Sequence, residues 1–274
     1  MRLAVIQMNS GPDKPENLVA AKALIERAIE RERPDLVSLP ETFTVMGGGD
    51  AGRLEAAEPI PGGAAYSMLQ GLAREHRVNI HGGSFFERRA DGRLTNTTVV
   101  FDRQGNEAAR YRKIHLFDVV TPNGEAYRES DYTAPGHEIV TIDLDGVRIG
   151  LAICYDLRFA ELFLELRKRG AEVIMVPSAF TLQTGKDHWE VLLRARAIET
   201  QCYIAAAAQC GGFPAGRGTR YSYGNALIAD PWGQVVARAS DQPGHAAADV
   251  DRDYLAAVRQ RIPVEQHRVL DRRI

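Results

Sequence analysis

A charge imbalance is missing from this chain of 274 residues: 34 basic and 36 acidic side chains, interspersed along its length, leave a formal net charge of -2. Proteins that track a nucleic-acid backbone or an anionic membrane surface carry a basic stripe, so neither partner is expected. Cysteine is scarce and odd in number. Cys154, Cys202 and Cys210 match no disulfide framework and no close-spaced zinc pattern, which leaves reduced thiols in a cytoplasmic protein as the simplest reading. Apolar runs long enough to span a bilayer are lacking, and MRLAVIQMNSGPD has no cleavable apolar core before Asp13. The seven histidines form no HExxH pair, so no metal site is expected. MGGGD lacks the GxGxxG spacing of a dinucleotide fingerprint, and no cofactor is expected. No solenoid repeat and no Pro/Ser-rich linker divides the chain; residues 1–274 are read as one large α/β domain that binds a small molecule.

What is present is strand and helix in alternation. Residues 3–8 alternate as a strand, and Leu18, Ala21, Ile25, Ala28 and Ile29 recur at helical spacing over 16–31, a helix that Pro34 ends. A buried strand over 36–39 delivers Glu41, and Gly47, Gly48 and Gly49 mark an irregular loop. A helix is predicted over 64–75, with strands over 78–85 and 97–101. Residues 105–135 lapse into a long polar segment that carries Lys113 and Glu129; a loop of that length inside a compact domain is usually functional or misassigned. Strands flank Gly146, the second (147–153) ending at Cys154, and a helix over 158–169 follows. A strand over 173–176, a helix over 187–201 and strands over 203–208, 223–229, 235–238 and 245–250 complete the pattern. Such alternation fits a doubly wound sheet or a barrel equally well.

Three residues stand where a strand or extended segment ends: Glu41 closing SLPET, Lys113 inside YRKIH, and Cys154 inside GLAICYDLRF. They read as base, cation and nucleophile, because a thiol attacks as thiolate and a neighbouring base and cation lower its pKa. Alone, each has a plainer reading: a solvated loop glutamate, one member of a basic face beside Arg110 and Arg112, and a core cysteine. Cys202 reads as core, Cys210 as a weak pocket candidate, and His188 with Trp189 as packing.

The words LPE, YRKIHLFD and CYDLRF, in that order, resemble the nitrilase superfamily of carbon-nitrogen hydrolases, from the first strand to near the C-terminus. HWEVLLRARAIETQCYIAAAAQCG, with NALIADPWGQVVAR behind it, is similar to the Nit amidase branch and within it to deaminated glutathione amidases. The resemblance implies a four-layer αββα sandwich, pairing into a homodimer or larger homo-oligomer, and a Glu-Lys-Cys triad. In it Cys154 attacks an amide carbonyl to form a thioester, Glu41 carries protons, and Lys113 with the Tyr155 backbone amide holds the oxyanion. Glu129 falls where the family keeps a second, supporting carboxylate. Arg158 is implied to be structural. Ala160 replaces the usual proline after RF, which leaves the triad untouched because proline is favoured but not required at a first helical turn.

The implied substrate carries carboxylates at both ends and needs cationic or amide donors there. Arg217 and Arg220, on the glycine-rich segment GGFPAGRGTRYSYG, which reads as a mobile loop, could hold one, and Phe180 and Thr181, just past the VPS strand end, are placed to line the pocket. An ω-amidase acting on α-ketoglutaramate shares the triad and is the close alternative, ahead of an N-carbamoyl amidohydrolase or a nitrilase. A catalytically silent binding or scaffold subunit is the alternative outside enzymes.

Overall fold

The structure, a computed structural model, describes residues 1–121, 124–216 and 218–270. In chain order its elements are β1 (Arg2–Met8), α1 (Lys14–Glu32), β2 (Leu36–Ser38), α2 (Gly49–Ala56), α3 (Ala64–His76), β3 (Asn79–His81), β4 (Phe85–Arg88), β5 (Leu94–Phe101), β6 (Glu107–Arg112), β7 (Asp118–Val120) and β8 (Ala126–Arg128). There follow β9 (Thr141–Leu144), β10 (Val147–Leu151), α4 (Ala160–Lys168), β11 (Val173–Met175), α5 (Leu182–Thr200), β12 (Tyr203–Ala206), β13 (Ala208–Ala215), β14 (Gly218–Tyr223), β15 (Leu227–Ala229), β16 (Val235–Arg238), β17 (Gly244–Asp249), α6 (Arg252–Arg261) and α7 (Val264–His267).

Two mixed sheets carry the molecule. One runs β14-β13-β1-β2-β3-β5-β4, with β17 also on β1 and β6 also on β5; the other runs β16-β15-β12-β11-β10-β9. β1 explains the layering, since it is buried along nearly its whole length. Leu3 and Val5 pack in one core with Ile149, Leu151, Ile174 and Ile204 of the second sheet, whereas Ala4, Ile6 and Met8 pack in another with Leu24 and Ile25 of α1 and Leu69 and Leu72 of α3. Leu162, Phe163, Trp189 and Leu193 of α4 and α5 join the first core from the second sheet's side. Helices, sheet, sheet and helices therefore stack as the αββα sandwich that the sequence resemblance implied. β1, β2 and β3 are mutually parallel, as are β10, β11 and β12. In α/β sheets the carboxyl ends of such strands are where ligands bind, and here β2 leads to Glu41 and β10 to Cys154.

Local chemistry sets the ends of these elements. α1 begins where the Asp13 side chain accepts from the Glu16 N–H at 2.8 Å and ends where Arg33 turns left-handed, with Pro34 beyond. The strand expected over 78–85 breaks into β3 and β4 at Gly82–Ser84. Gly83 has φ +55, and a Cβ there would lie 2.1 Å from the Pro40 carbonyl oxygen, so only glycine lets this segment lie against the loop bearing Glu41. That contact is fastened by Phe43 N–H to Ser84 O and Ser84 N–H to Pro40 O.

Several expectations are corrected. The polar segment 105–135 is no long loop: it holds β6, the β7–β8 hairpin and a 3-10 turn, Glu129–Asp131. Its strands are short or half exposed, which erases the apolar alternation. The described residues of the glycine-rich 211–224 stretch form no loop but the paired strands β13 and β14, in register from Cys210 opposite Tyr223 to Ala215 opposite Gly218. Gly47 and Gly48 lie in irregular backbone as expected while Gly49 opens α2, and α5 starts at Leu182 rather than 187 because Thr181 caps it.

Candidate active site

Each strand end delivers one polar group into a common cleft. Cys154 follows β10 at the head of a 3-10 turn, Cys154–Arg158, and has φ +46, an uncommon conformation for a residue with a side chain. The turn is held from both sides: the Cys154 N–H donates to Pro177 O, the Ile153 N–H to Asp156 Oδ2 at 2.8 Å, and the Asp156 N–H back to Ile153 O. Asp156, wholly buried, also accepts from the Tyr111 hydroxyl at 2.6 Å and from the His115 backbone N–H at 3.1 Å, and its Oδ1 lies 2.7 Å from His115 Nδ1. While the amides on either side are used, the Tyr155 N–H has no acceptor among the described residues. A free N–H beside a nucleophile is what an oxyanion needs.

Lys113, at the end of β6, is buried and donates to Glu41 Oε1 at 2.9 Å and Glu129 Oε2 at 2.8 Å. An ammonium has three N–H bonds, so one remains to point elsewhere. Asn96 on β5 ties the carboxylates together, its Nδ2 reaching Glu41 Oε1 at 2.9 Å and Glu129 Oε1 at 3.2 Å. The second oxygen of Glu41 accepts from the Ala179 N–H at 2.9 Å, and that of Glu129 from the Phe117 N–H at 2.7 Å. Burial pushes the Lys113 ammonium down, but the Glu129 and Glu41 carboxylates outweigh it and hold the group well above its ordinary value. The site keeps one fixed positive charge between two acids.

The thiol departs from expectation. Burial, then the charge of Glu41, push Cys154 well above its ordinary value, and Lys113 only partly opposes them. A lowered thiol pKa was anticipated from base and cation; the low-dielectric surroundings and the carboxylate win instead. Cys154 therefore rests as the thiol, and its proton must be removed as it attacks.

Glu41, Lys113, Glu129, Cys154, Tyr155, Phe180, Thr181 and Arg220 all line one open cleft of ≈ 950 Å³, its solvent-filled mouth included. Arg217 lies outside the described residues. The Arg220 guanidinium lies over the Tyr127 ring, 4.3 Å from its centre. Cys210 is buried but does not reach the cleft, Cys202 is core, and Trp189 is core too, donating to Asn225 O at 2.8 Å. Arg158 lies over Phe180 and beside His188. Sequence reasoning missed Asn96, Asp156, Ala179 and Arg53, the last on α2 and lining the cleft. Asp156 alone had a signal, its place two residues after Cys154.

Among the described residues no group of three or more His, Cys, Asp or Glu side chains could hold a metal ion, and no helix is long and apolar enough to cross a membrane.

Fold, cleft and residue set together define a hydrolase of carbon-nitrogen bonds, and the chain belongs to the carbon-nitrogen hydrolase family, which it matches over residues 2–260. It is 44% identical over 271 residues to the deaminated glutathione amidase of Mus musculus, covering 97% of this chain and 82% of that protein. It is likewise 44% identical to the deaminated glutathione amidase of a Synechocystis strain, covering 97% of both. Among solved structures it is similar to Saccharomyces cerevisiae Nit3, a member of branch 10 of the nitrilase superfamily (TM-score 0.87, 30% identity, 100% of this chain and 97% of that one). It is similar also to the Caenorhabditis elegans NitFhit protein (TM-score 0.89, 38% identity), all of this chain matching 66% of that longer one. The chain is an amide-cleaving enzyme with a small-molecule substrate.

Proposed function

We propose that this enzyme hydrolyses deaminated glutathione, releasing 2-oxoglutarate and Cys-Gly, through a thioester on Cys154. The observation that carries the chemistry is the buried Glu41–Lys113–Glu129 array, in which Lys113 bridges both carboxylates, in the same cleft as Cys154. Glu41 takes the Cys154 proton as Sγ bonds to the amide carbonyl carbon. The carbonyl oxygen, now an alkoxide, accepts from the Tyr155 N–H and from the remaining N–H of Lys113. As the tetrahedral adduct collapses, the C–N bond breaks and Glu41 passes its proton to the departing amine. Water, deprotonated by Glu41, then attacks the thioester; the acid leaves and the proton returns to Cys154. Glu129 and Asn96 fix Lys113 and Glu41 throughout. The substrate choice rests on the two 44% identical amidases and on Arg220, a cation that lines the same cleft as Phe180 and Thr181.

Residues 1–274 act in this reading as one hydrolase unit in the reducing cytoplasm, paired as a homodimer. Val191 and Ile198, seven residues apart on α5 and 66% and 52% exposed, offer an apolar face for that pairing. Sedimentation of the wild type against Ile198→Asp tests it: dimer turning to monomer is the expected result.

Comparing kcat/KM on deaminated glutathione and on α-ketoglutaramate tests the substrate. Preference for the larger compound is expected. Preference for α-ketoglutaramate would keep the chemistry and replace the substrate, whereas turnover of neither, with unimpaired folding, would favour a silent binding subunit.

A further inference from the structure

The cleft holds a second arginine that the chemistry above leaves without a task. Glu129 sits between two tyrosines close in the chain, Tyr127 before it and Tyr132 after it, and each ring carries a guanidinium. Arg220 lies 4.3 Å from the centre of the Tyr127 ring, and Arg53, reaching across from α2, lies 3.7 Å from the centre of the Tyr132 ring. Both arginines and both tyrosines line the cleft that contains Cys154. A guanidinium held over a ring face can still present N–H groups to a planar anion.

Among the described residues, neither arginine has its donors fully engaged by strong partners. Arg53 Nε is buried with no hydrogen-bond partner among the described residues, and its Nη2 pairs only with Asp50, whose side chain is 80% exposed. Arg220 Nε approaches Glu125 no closer than 3.9 Å. The Arg53 guanidinium, which lines the cleft and is held only by an exposed carboxylate, can exchange that partner for a carboxylate entering the cleft.

Resting on the proposed reading of the substrate, we infer that Arg53 and Arg220 are paired carboxylate anchors. Each takes one end of a single linear amide, so the enzyme selects substrates with a carboxylate on both sides of the scissile bond. Arg53 thereby becomes a specificity-determining residue that binds substrate without touching the reacting atoms.

The test uses full-length Cys154→Ala protein, in which binding is separated from turnover, and three ligands measured by calorimetry. Deaminated glutathione has both carboxylates, α-ketoglutaramate only the acyl-side one, and butanoyl-Cys-Gly only the leaving-group one. Arg53→Gln and Arg220→Gln, each added to that background, are expected to weaken deaminated glutathione about 10–100-fold. Each should spare a different truncated ligand, the one that lacks its carboxylate. Arg53→Lys, which keeps the charge but not the planar fork, should recover part of the loss and guards against a folding defect in the glutamine variant. Equal weakening of all three ligands by either variant, unchanged affinity in both, or no binding of deaminated glutathione would overturn the anchors. Wild-type turnover is measured alongside. The arginine pattern without cleavage would sink the substrate reading alone, and cleavage with unchanged affinities would sink the anchors alone.

Discussion

Cys154 is buried next to a carboxylate, and the balance of charges around its sulfur decides how the enzyme must work. Because Glu41 raises the thiol's pKa, replacing it with glutamine should have two opposite effects. Turnover of Glu41→Gln should fall by about 10²–10⁴, the usual worth of a general acid/base. Alkylation of Cys154 by iodoacetamide near neutral pH should become faster, since the thiolate is then easier to form. Slower alkylation than wild type would contradict the electrostatic account. Lys113→Met removes the charge that Glu41 and Glu129 share; it should lower kcat by about 10²–10³ and destabilise the fold by about 3–5 kcal/mol, read by urea unfolding. Glu41, Lys113 and Cys154 could be read from the sequence because each sits inside a distinctive word. Asn96 and Arg53 could not, being single polar residues whose partners lie far away in the chain.

Among the elements, glycine and capping positions set what the site can tolerate. Gly83→Ala would drive a Cβ against Pro40 O and displace the loop that carries Glu41, so stability and kcat should fall together. Asp13→Ala, which removes only the cap of α1, should lower stability by about 1 kcal/mol in thermal unfolding and leave kcat unchanged. The contrast separates a structural end from a functional one. Elements with clear periodicity, such as β1, α1 and α3, were legible from the sequence. β6 was not, because EAARYR is half exposed on an outer strand and shows no apolar alternation. β13 and β14 were hidden by Gly211, Gly212, Pro214 and Gly216, residues that signal a loop yet here lie in or between paired strands.

The whole molecule depends on pH through groups enclosed by its layers. His81 is fully buried, and burial pushes its imidazole down to about 3. Its ordinary value is 6.5, so the unfolded chain takes up a proton before the native one does. Stability is then fully present above about pH 6.5 and falls as pH drops toward 3, by about 1.4 kcal/mol per unit within that window. His81→Asn should flatten this decline when unfolding is followed from pH 7 to pH 4. Lys113 works from the other side, since its raised value contributes stability that is present below the ordinary lysine value of 10.5 and lost as pH rises through the higher native one. The four-layer arrangement was not legible from periodicity alone, because β1 buries both faces and could serve a barrel, an open sheet or a sandwich. The family words decided among them.

Turnover of deaminated glutathione by purified wild type and by Cys154→Ala tests the central claim most directly, with melting curves for both. The account predicts cleavage by the wild type and none above background in an equally stable Cys154→Ala. Retained cleavage in that variant would contradict it, because a thioester needs a thiol and Cys154 is the one cysteine among the described residues that line the cleft.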